Sequence, residues 1–221
     1  MGKIDIKGYI VSNDDREFYD FYGMTSTYPK MVQDAITNDE DEEITLNIAS
    51  NGGDVFAASE IYTMLRDSGK RIVVNIQGLA ASAASVISMA GNTVRISPTA
   101  HIMIHKASSG FVGNSDDMEH QSVVLNSIDE SIALAYEMKT GLKQSELLEL
   151  MAKETWLNAK TAVDKGFADE IMFSDTEEEV MVTNAVHQMP SKSAINKFKN
   201  MIAKPKTNSL REQKLKILLE K

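Results

Sequence analysis

The sequence contains no cysteine, which excludes disulfide bonds, thiolate catalysis and zinc or iron–sulfur sites built on cysteine. It also lacks a long apolar run, since the longest one, "GLAASAASVISMAG", is too short and too rich in serine to span a bilayer. The N-terminal stretch "MGKIDIKGYIVSNDD" has no apolar segment of the kind found in secretory signals. The net charge of −9 argues against a general nucleic-acid-binding surface. These absences fit a cytosolic globular protein, and 221 residues suit one domain with a proper core, or a domain with a tail.

Charge is distributed unevenly along the chain. Residues 191–221 carry nine Lys or Arg against two Glu, a net charge of +7, which leaves −16 for the first 190 residues. Such asymmetry indicates that the tail is a separate unit. We therefore predict one domain over residues 1–175, an acidic-to-basic linker over 176–190 and a basic amphipathic helical extension over 191–221. The extension is interpreted either as a solvated end or as an arm that binds a partner.

Strand and helix patterns alternate through the predicted domain. The segments "KIDIKGYIV", "ITLNIAS" and "RIVVNIQG" are typical of strands, and "VFAASEIYTMLRDSG" and "AASAASVISMAG" of helices. This order predicts an α/β domain with a largely parallel sheet and flanking helices. A longer helix is expected to begin with Ser115 as its N-cap and to end at Gly141. A helix of that length must cover a large sheet or project from it to contact another subunit.

The stretch "IQGLAASAASVISMAG" holds three serines among alanines. Ser82 follows a predicted strand and opens a helix, so its hydroxyl is exposed and the amide of Ala83 lies close by. That position suits a nucleophile whose oxyanion is stabilised by the following amide. Ser85 and Ser88 follow at intervals of three residues and are interpreted as small residues on a packed face. Taken by itself, the stretch favours a packing helix over catalysis.

The segment "NGGD" lies between a strand and a helix. Its two glycines, Gly52 and Gly53, allow positive φ angles and close approach of a ligand. Backbone N–H groups at such a place suit an oxyanion or a phosphate, although a plain Gly-Gly turn is the simpler interpretation. The segment matches neither the G-x-G-x-x-G fingerprint nor a P-loop, so nucleotide binding has no support.

A nucleophilic serine needs a base, and the chain has only four histidines. His105 is preferred because it ends the strand "HIMIH" and faces a loop, and His101, which begins that strand, is second. A third group must orient the imidazole. The candidates are the carboxylates near the last helix and strand, Glu154, Asp164 and Asp169.

The order of these segments resembles the Clp-type serine peptidase family. The segments "NIASNGGDVFAASEIYTML", "GLAASAAS", "HIMIHKASSGFVGNSDDME" and "ETWLNAKTAVDKGFADEI" follow one another as in the family, and the resemblance covers roughly residues 3–173. It implies Ser82 as nucleophile, His105 as base and the amides of Gly53 and Ala83 as oxyanion hole. It also implies a ClpP/crotonase-like α/β fold with a parallel sheet, flanking helices and a long handle helix. Ring-shaped homo-oligomers, usually heptamers stacked in pairs, are a further implication.

The sequence departs from the family pattern at three points. Glu154, in "ETWLNA", stands where the family usually has the aspartate of its triad. Glu154 is therefore our first choice for the third member, with Asp169 as the fallback. The family's usual proline after the base is missing in "HKAS". The first strand begins almost at Met1, without the segment that gates the axial pore in degradative members, which argues against partnership with an unfolding ATPase.

These departures and the basic extension resemble the phage branch of the family, the head-maturation (prohead) proteases. That resemblance implies ATP-independent cleavage of scaffold and capsid precursors. The expected location is the cytoplasm of a bacterial host, within the assembling procapsid. The extension would bind scaffold or capsid proteins, or be removed by self-cleavage.

The peptide substrate is expected to lie extended between the backbone after Gly53 and the segment "KASSGFVG", adding as a strand. The residues expected to contact it are Gly52, Asp54, Val55, Ser108 and Gly110. The mechanism requires no metal and no organic cofactor, and neither nucleic acid nor a membrane is expected as a partner.

Three alternatives remain open at this point. The chain is a degradative Clp-type peptidase that works with an ATPase ring, a crotonase-fold acyl-CoA enzyme, or an inactive assembly protein built on a peptidase fold. The pairing of Ser82 with His105 argues against the last two.

Overall fold

The structure is a computed structural model that describes residues 2–174. Over these residues the chain forms eight strands and seven helices. The strands are β1 (Gly2–Ile10), β2 (Ser26–Thr27), β3 (Glu43–Gly53), β4 (Arg71–Ala81), β5 (Thr93–Ile96), β6 (His101–Ile104), β7 (Thr155–Asn158) and β8 (Glu170–Ile171). The helices are α1 (Arg16–Phe21), α2 (Pro29–Asn38), α3 (Val55–Asp67), α4 (Ala83–Ser88), α5 (Ser115–Thr140), α6 (Gln144–Ala152) and α7 (Ala159–Asp164).

All eight strands join one sheet. Strands β2, β1, β3, β4, β5 and β8 lie side by side in that order, and each of these neighbouring pairs is parallel. The first half of β4 pairs with β5, while residues 79–81 at its end pair with β6. Strand β6 pairs antiparallel with β7, and Ile104 lies opposite Thr155. The predicted α/β fold with a largely parallel sheet is confirmed, and the fork in β4 brings the start of α4 beside the end of β6.

The core consists mainly of branched aliphatic side chains from the central strands. Leu46 and Ile48 in β3 and Val74 and Ile76 in β4 have no exposed surface. In each strand an asparagine, Asn47 or Asn75, separates these two residues, so their side chains lie on one face of the sheet and pack into the core. The ends of β3 and β4 are therefore held in fixed places, and the glycine pair and Ser82 lie at these two ends.

The N-cap of α5 is Asn114, and the prediction of Ser115 was wrong. The side chain of Asn114 accepts hydrogen bonds from the amides of Asp116 and Asp117, and the Asp117 carboxylate accepts one from the Asn114 amide. Serine and asparagine are equally good caps, and only this reciprocal bond to the third helical residue separates the two positions. The predicted end is confirmed, because Gly141 closes the helix with a left-handed φ of 73°.

Several elements were not predicted from the sequence. Helix α1 and strand β2 are short, with six and two residues, and carry too little periodicity to stand out. Strand β7 is recognisable only through its pairing with β6. Strand β3 was expected to end before "NGGD" but continues to Gly53, which pairs with Ile10 of β1.

No helix in the described part of the chain is long and apolar enough to cross a membrane. The predicted linker over residues 176–190 and the predicted extension over 191–221 lie outside the described residues. Both stay predictions.

Replacing Asn114 with alanine should loosen the first turn of α5, because the change removes the acceptor of two amide hydrogen bonds. A cap of this kind is worth about 1 kcal/mol. Amide hydrogen exchange should therefore become about 5-fold faster over residues 115–119. Ser115→Ala is the matched control and should leave exchange there unchanged. Equal acceleration in both variants would contradict the assignment of Asn114 as the cap.

Candidate active site

Ser82 occupies the junction between β4 and α4 in an unusual backbone conformation. Its φ is 54° and its ψ is −124°, a region that L-residues rarely adopt without support from their surroundings. The Ser82 amide donates to the carbonyl of Met103 in β6 at 2.9 Å. The Ser82 carbonyl accepts the amide of Ser85 at 2.9 Å and the amide of Val86 at 3.3 Å. The junction is thus held from the sheet on one side and from α4 on the other.

The Ser82 hydroxyl meets His105 across this junction. His105 follows the last residue of β6, and its Nε2 lies 2.8 Å from Ser82 Oγ. For Nε2 to accept the serine proton, the imidazole must carry its other proton on Nδ1. The structure therefore brings together the two residues that the sequence singled out as nucleophile and base, at a distance suited to proton transfer.

The glycine pair packs against this junction. Gly52 has a φ of 94°, and a Cβ added to it would lie 2.7 Å from the Ala81 carbonyl oxygen and 2.8 Å from Ser82 Cβ. Gly53 has a φ of 150° and approaches Ile10 so closely that a Cβ would overlap its carbonyl oxygen. Glycine is required at both positions, and only glycine at position 52 lets β3 pass directly beside the nucleophile.

A cavity of about 300 Å³ opens above the serine–histidine pair. Both proposed oxyanion donors, Gly53 and Ala83, lie in its wall together with Ser82 and His105. Ala83 is the first residue of α4, and an amide at that position has no partner within its own helix. The two residues that carry the proposed donor amides thus line one space together with Ser82 and His105, and acyl transfer requires a nucleophile, a base and oxyanion donors around one space.

Glu154 lies beside His105 by strand register. Ile104 pairs with Thr155, so the next residues along the antiparallel pair are His105 and Glu154. Glu154 has a positive φ of 48°, and its carboxylate accepts a hydrogen bond from the indole N–H of Trp156 at 3.2 Å. Among residues 2–174 no hydrogen bond joins Glu154 to the imidazole. The register brings the predicted third member next to the base, while its carboxylate contacts the indole.

The other candidates are placed elsewhere. The Asp169 carboxylate accepts the Val94 amide at 2.6 Å and lies 2.7 Å from Lys139 Nζ, so it ties β5 to α5 instead of contacting the imidazole. Asp164 is the exposed last residue of α7. His101 begins β6, four residues before His105, and is exposed.

The predicted substrate-binding residues other than Gly52 divide into two groups. Val55 and Ser108 line the cavity beside the dyad. The Asp54 carboxylate caps α3 by accepting the amides of Phe56 and Ala57, and Gly110 is exposed, with open space where a Cβ would be. Contact of these residues with a peptide substrate remains a prediction.

Sequence reasoning missed Asp129, a buried carboxylate on α5. Its Oδ1 accepts the amide of Ala107 at 2.8 Å, and its Oδ2 lies 3.6 Å from Lys106 Nζ. The two residues after His105 are therefore both tied to α5. The sequence contained no clear signal, because a lone aspartate within a charged helix usually faces solvent.

Ser85 and Ser88 are buried on the packed face of α4, as predicted. Ser85 has a second role that the sequence did not reveal, since its hydroxyl lies 2.7 Å from the hydroxyl of Tyr136 on α5. This contact lies behind the nucleophile, on the side of α4 that faces α5.

Comparison with known proteins gives consistent matches. The family model described as Clp protease matches residues 29–175. The ATP-dependent Clp protease proteolytic subunit of Deinococcus radiodurans is 31% identical over 134 residues, which cover 60% of this chain and 66% of that protein. The proteolytic subunit 2 of Tropheryma whipplei is 29% identical over 136 residues, covering 61% and 76%. The match thus spans just under two thirds of the Deinococcus protein and three quarters of the Tropheryma protein.

Gly52→Ala should separate Ser82 from its base, because the added methyl group meets Ser82 Cβ and the Ala81 carbonyl. A displacement of about 1 Å at such a site costs roughly 10²-fold in rate. We expect labelling of Ser82 by a fluorophosphonate to slow by that factor. Gly69→Ala is the matched control, since Gly69 has a similar positive φ of 70° with open space around it. An unchanged labelling rate in Gly52→Ala would contradict the role given to the close approach.

Proposed function

Because the chain belongs to the Clp protease family, we propose that it is a serine endopeptidase in which Ser82 is the nucleophile and His105 the general base. The observation that carries the proposal is the 2.8 Å contact between Ser82 Oγ and His105 Nε2 in the wall of an open cavity. A crotonase-type acyl-CoA enzyme needs the backbone amides of such a cavity but not this pair, and an inactive assembly protein needs neither.

The chemistry proceeds through an acyl-enzyme. Ser82 Oγ attacks the carbonyl carbon of a peptide bond while His105 Nε2 takes its proton. The oxyanion that forms is stabilised by the N–H groups of Gly53 and Ala83, each worth about 3 kcal/mol at comparable sites. His105 then gives its proton to the leaving amine, and a water molecule activated by the same imidazole hydrolyses the ester.

The substrate of this site is an extended polypeptide with an apolar side chain near the cleaved bond. A second cavity of about 400 Å³ adjoins the first, and the two share Val55, Val86 and Ile132. Its remaining wall includes Phe56 and Tyr62 from α3. The valine, isoleucine and aromatic side chains of this wall suit an apolar side chain, and four serine or threonine residues also line it.

The proposed assembly is a homo-oligomeric ring, a heptamer or a double heptamer. The first half of α5 extends away from the core with exposed apolar side chains, including Met118 at 46% and Val123 at 62%. Exposed apolar surface of this kind marks an interaction site. It supports contact between copies of this chain through α5.

The finer proposal is cleavage of phage scaffold and capsid precursors during head maturation, inside a procapsid in the bacterial cytoplasm. It rests on the glutamate in place of the triad aspartate and on the basic segment 191–221 that follows an acidic domain. Degradation with an unfolding ATPase is the second candidate, because the matched relatives are named ATP-dependent proteolytic subunits. Cleavage of a scaffold protein without ATP supports the first, and dependence on an added ATPase ring supports the second.

Ser82→Ala should abolish turnover of a fluorogenic peptide, with a fall in kcat of at least about 10³-fold, because the variant has no nucleophile. Fluorophosphonate treatment followed by peptide mass mapping should place the label on Ser82 of the unmodified chain. Ser88→Ala is the control for loss of a hydroxyl in the same segment. Label on Ser85, or turnover that survives Ser82→Ala, would sink the proposal.

Glu154→Gln should lower kcat by about 10²-fold or more if this carboxylate stabilises the imidazolium of His105. Trp156→Phe removes the indole N–H that donates a hydrogen bond to the Glu154 carboxylate, and it should leave kcat unchanged or raise it. Asp169→Asn serves as the matched acidic control, with kcat near that of the unmodified chain. Sedimentation checks that assembly is intact in each variant. Loss of kcat in Asp169→Asn alone would assign the third role to Asp169.

A further inference from the structure

Tyr136 of α5 is a buried polar side chain that the mechanism above does not use. It is 1% exposed, its ring packs on Phe167 with centroids 5.5 Å apart, and it lines the cavity at the dyad. Its hydroxyl lies 2.7 Å from Ser85 Oγ. Burying a phenol costs free energy unless its hydroxyl is hydrogen-bonded. The contact with Ser85 provides that hydrogen bond.

The Ser85 hydroxyl also contacts the backbone of Ser82, so it links Tyr136 to that residue. Ser85 Oγ lies 2.6 Å from the carbonyl oxygen of Ser82. A carbonyl only accepts, so the single hydroxyl proton of Ser85 is directed at Ser82, and Tyr136 must donate to Ser85. Burial raises the pKa of Tyr136, which keeps the phenol protonated and able to donate at neutral pH. The result is a directed chain from Tyr136 through Ser85 to the Ser82 carbonyl.

The Ser82 carbonyl shares a peptide group with the Ala83 N–H. That peptide is trans, as are all those described, so its C=O and N–H point in opposite directions. Holding the carbonyl oxygen towards α4 therefore turns the Ala83 N–H towards the cavity. Hydrogen bonds in series also polarise one another, so a bond accepted by the carbonyl strengthens the N–H as a donor.

We propose that Tyr136 and Ser85 are positioning residues that orient and polarise the Ser82–Ala83 peptide, so that the Ala83 N–H points at the oxyanion. The inference rests on the proposed function. It adds to that function a hydroxyl pair, one from α4 and one from α5, that acts on the backbone of the nucleophile.

Ser88 provides a matched comparison on the same helix. Its Oγ donates to the carbonyl of Ser85 at 2.6 Å, and it is as fully buried as Ser85. The same kind of bond is thus present one turn further on, without a link to Tyr136 or to Ser82. Removal of the Ser88 hydroxyl tests the cost of a lost buried hydrogen bond in α4 alone.

The experiment compares Tyr136→Phe, Ser85→Ala, the double variant and Ser88→Ala in the full chain. Loss of a whole oxyanion donor costs about 10²–10³-fold in kcat, and a misaligned donor should cost less. We expect kcat to fall about 10-fold in Tyr136→Phe and at least as far in Ser85→Ala, with KM changed by less than about 2-fold. Because Tyr136 acts through Ser85, the double variant should match Ser85→Ala to within about 2-fold. Ser88→Ala should retain the kcat of the unmodified chain.

A peptide aldehyde separates positioning from simple stability. Its adduct with Ser82 carries an oxygen in the oxyanion position, so its affinity should fall in Tyr136→Phe by about the same factor as kcat. Thermal unfolding is measured in parallel. A lower Tm with kcat and aldehyde affinity within about 2-fold of the unmodified chain overturns the inference, as do additive losses in the double variant.

The outcomes also separate this inference from the proposed function. If the unmodified chain turns over peptide and takes label on Ser82 while Tyr136→Phe keeps its kcat, only the inference fails. If the unmodified chain neither turns over peptide nor takes label, the proposed function fails and the inference fails with it.

Discussion

Ser82 adopts a backbone conformation that an L-residue keeps only when its surroundings impose it, at a cost of about 1–3 kcal/mol. Three contacts impose it here: the hydrogen bond from the Ser82 amide to the carbonyl of Met103 in β6, the hydrogen bonds that the Ser82 carbonyl accepts from α4, and the close packing of Gly52. In this conformation the hydroxyl lies 2.8 Å from His105 Nε2, and the following residue, Ala83, lines the cavity. This one junction is surrounded by the forked end of β4, the glycine pair and the small residues of α4.

Helix α5 contacts both halves of the candidate site. Asp129 holds the backbone just after His105, and Tyr136 reaches the carbonyl of Ser82 through Ser85. These two residues are seven positions apart, so they lie two helical turns apart on nearly the same face. The backbone next to His105 and the backbone of Ser82 are thus both held by one helix, α5. A shift of α5 against the sheet would move both of them.

The family predicted from the sequence is confirmed, because its model matches residues 29–175. The parallel sheet was also predictable, because buried strands and capped helices leave periodic patterns. The contacts of Asp129 and Tyr136 were not, since they join residues over 20 and 50 positions apart with no pattern in either segment. The N-cap of α5 was missed for a local reason, because Asn114 and Ser115 are adjacent and equally suited.

The Glu154 carboxylate can accept a hydrogen bond from the indole of Trp156 or from the imidazolium of His105, and the strengths of these two bonds decide between them. In the resting site its carboxylate accepts the neutral indole N–H of Trp156, and a bond of this kind lies at the weaker end of the range, since it is made at an exposed position. In the proposed mechanism His105 becomes a cation when Ser82 attacks, and its Nδ1–H then offers a charge-assisted bond worth about 1.5–3 kcal/mol. Because Glu154 is the next residue in register and its side chain is exposed, a change of rotamer costs little. On this comparison we propose that the carboxylate transfers to the imidazolium at the step where that charge forms.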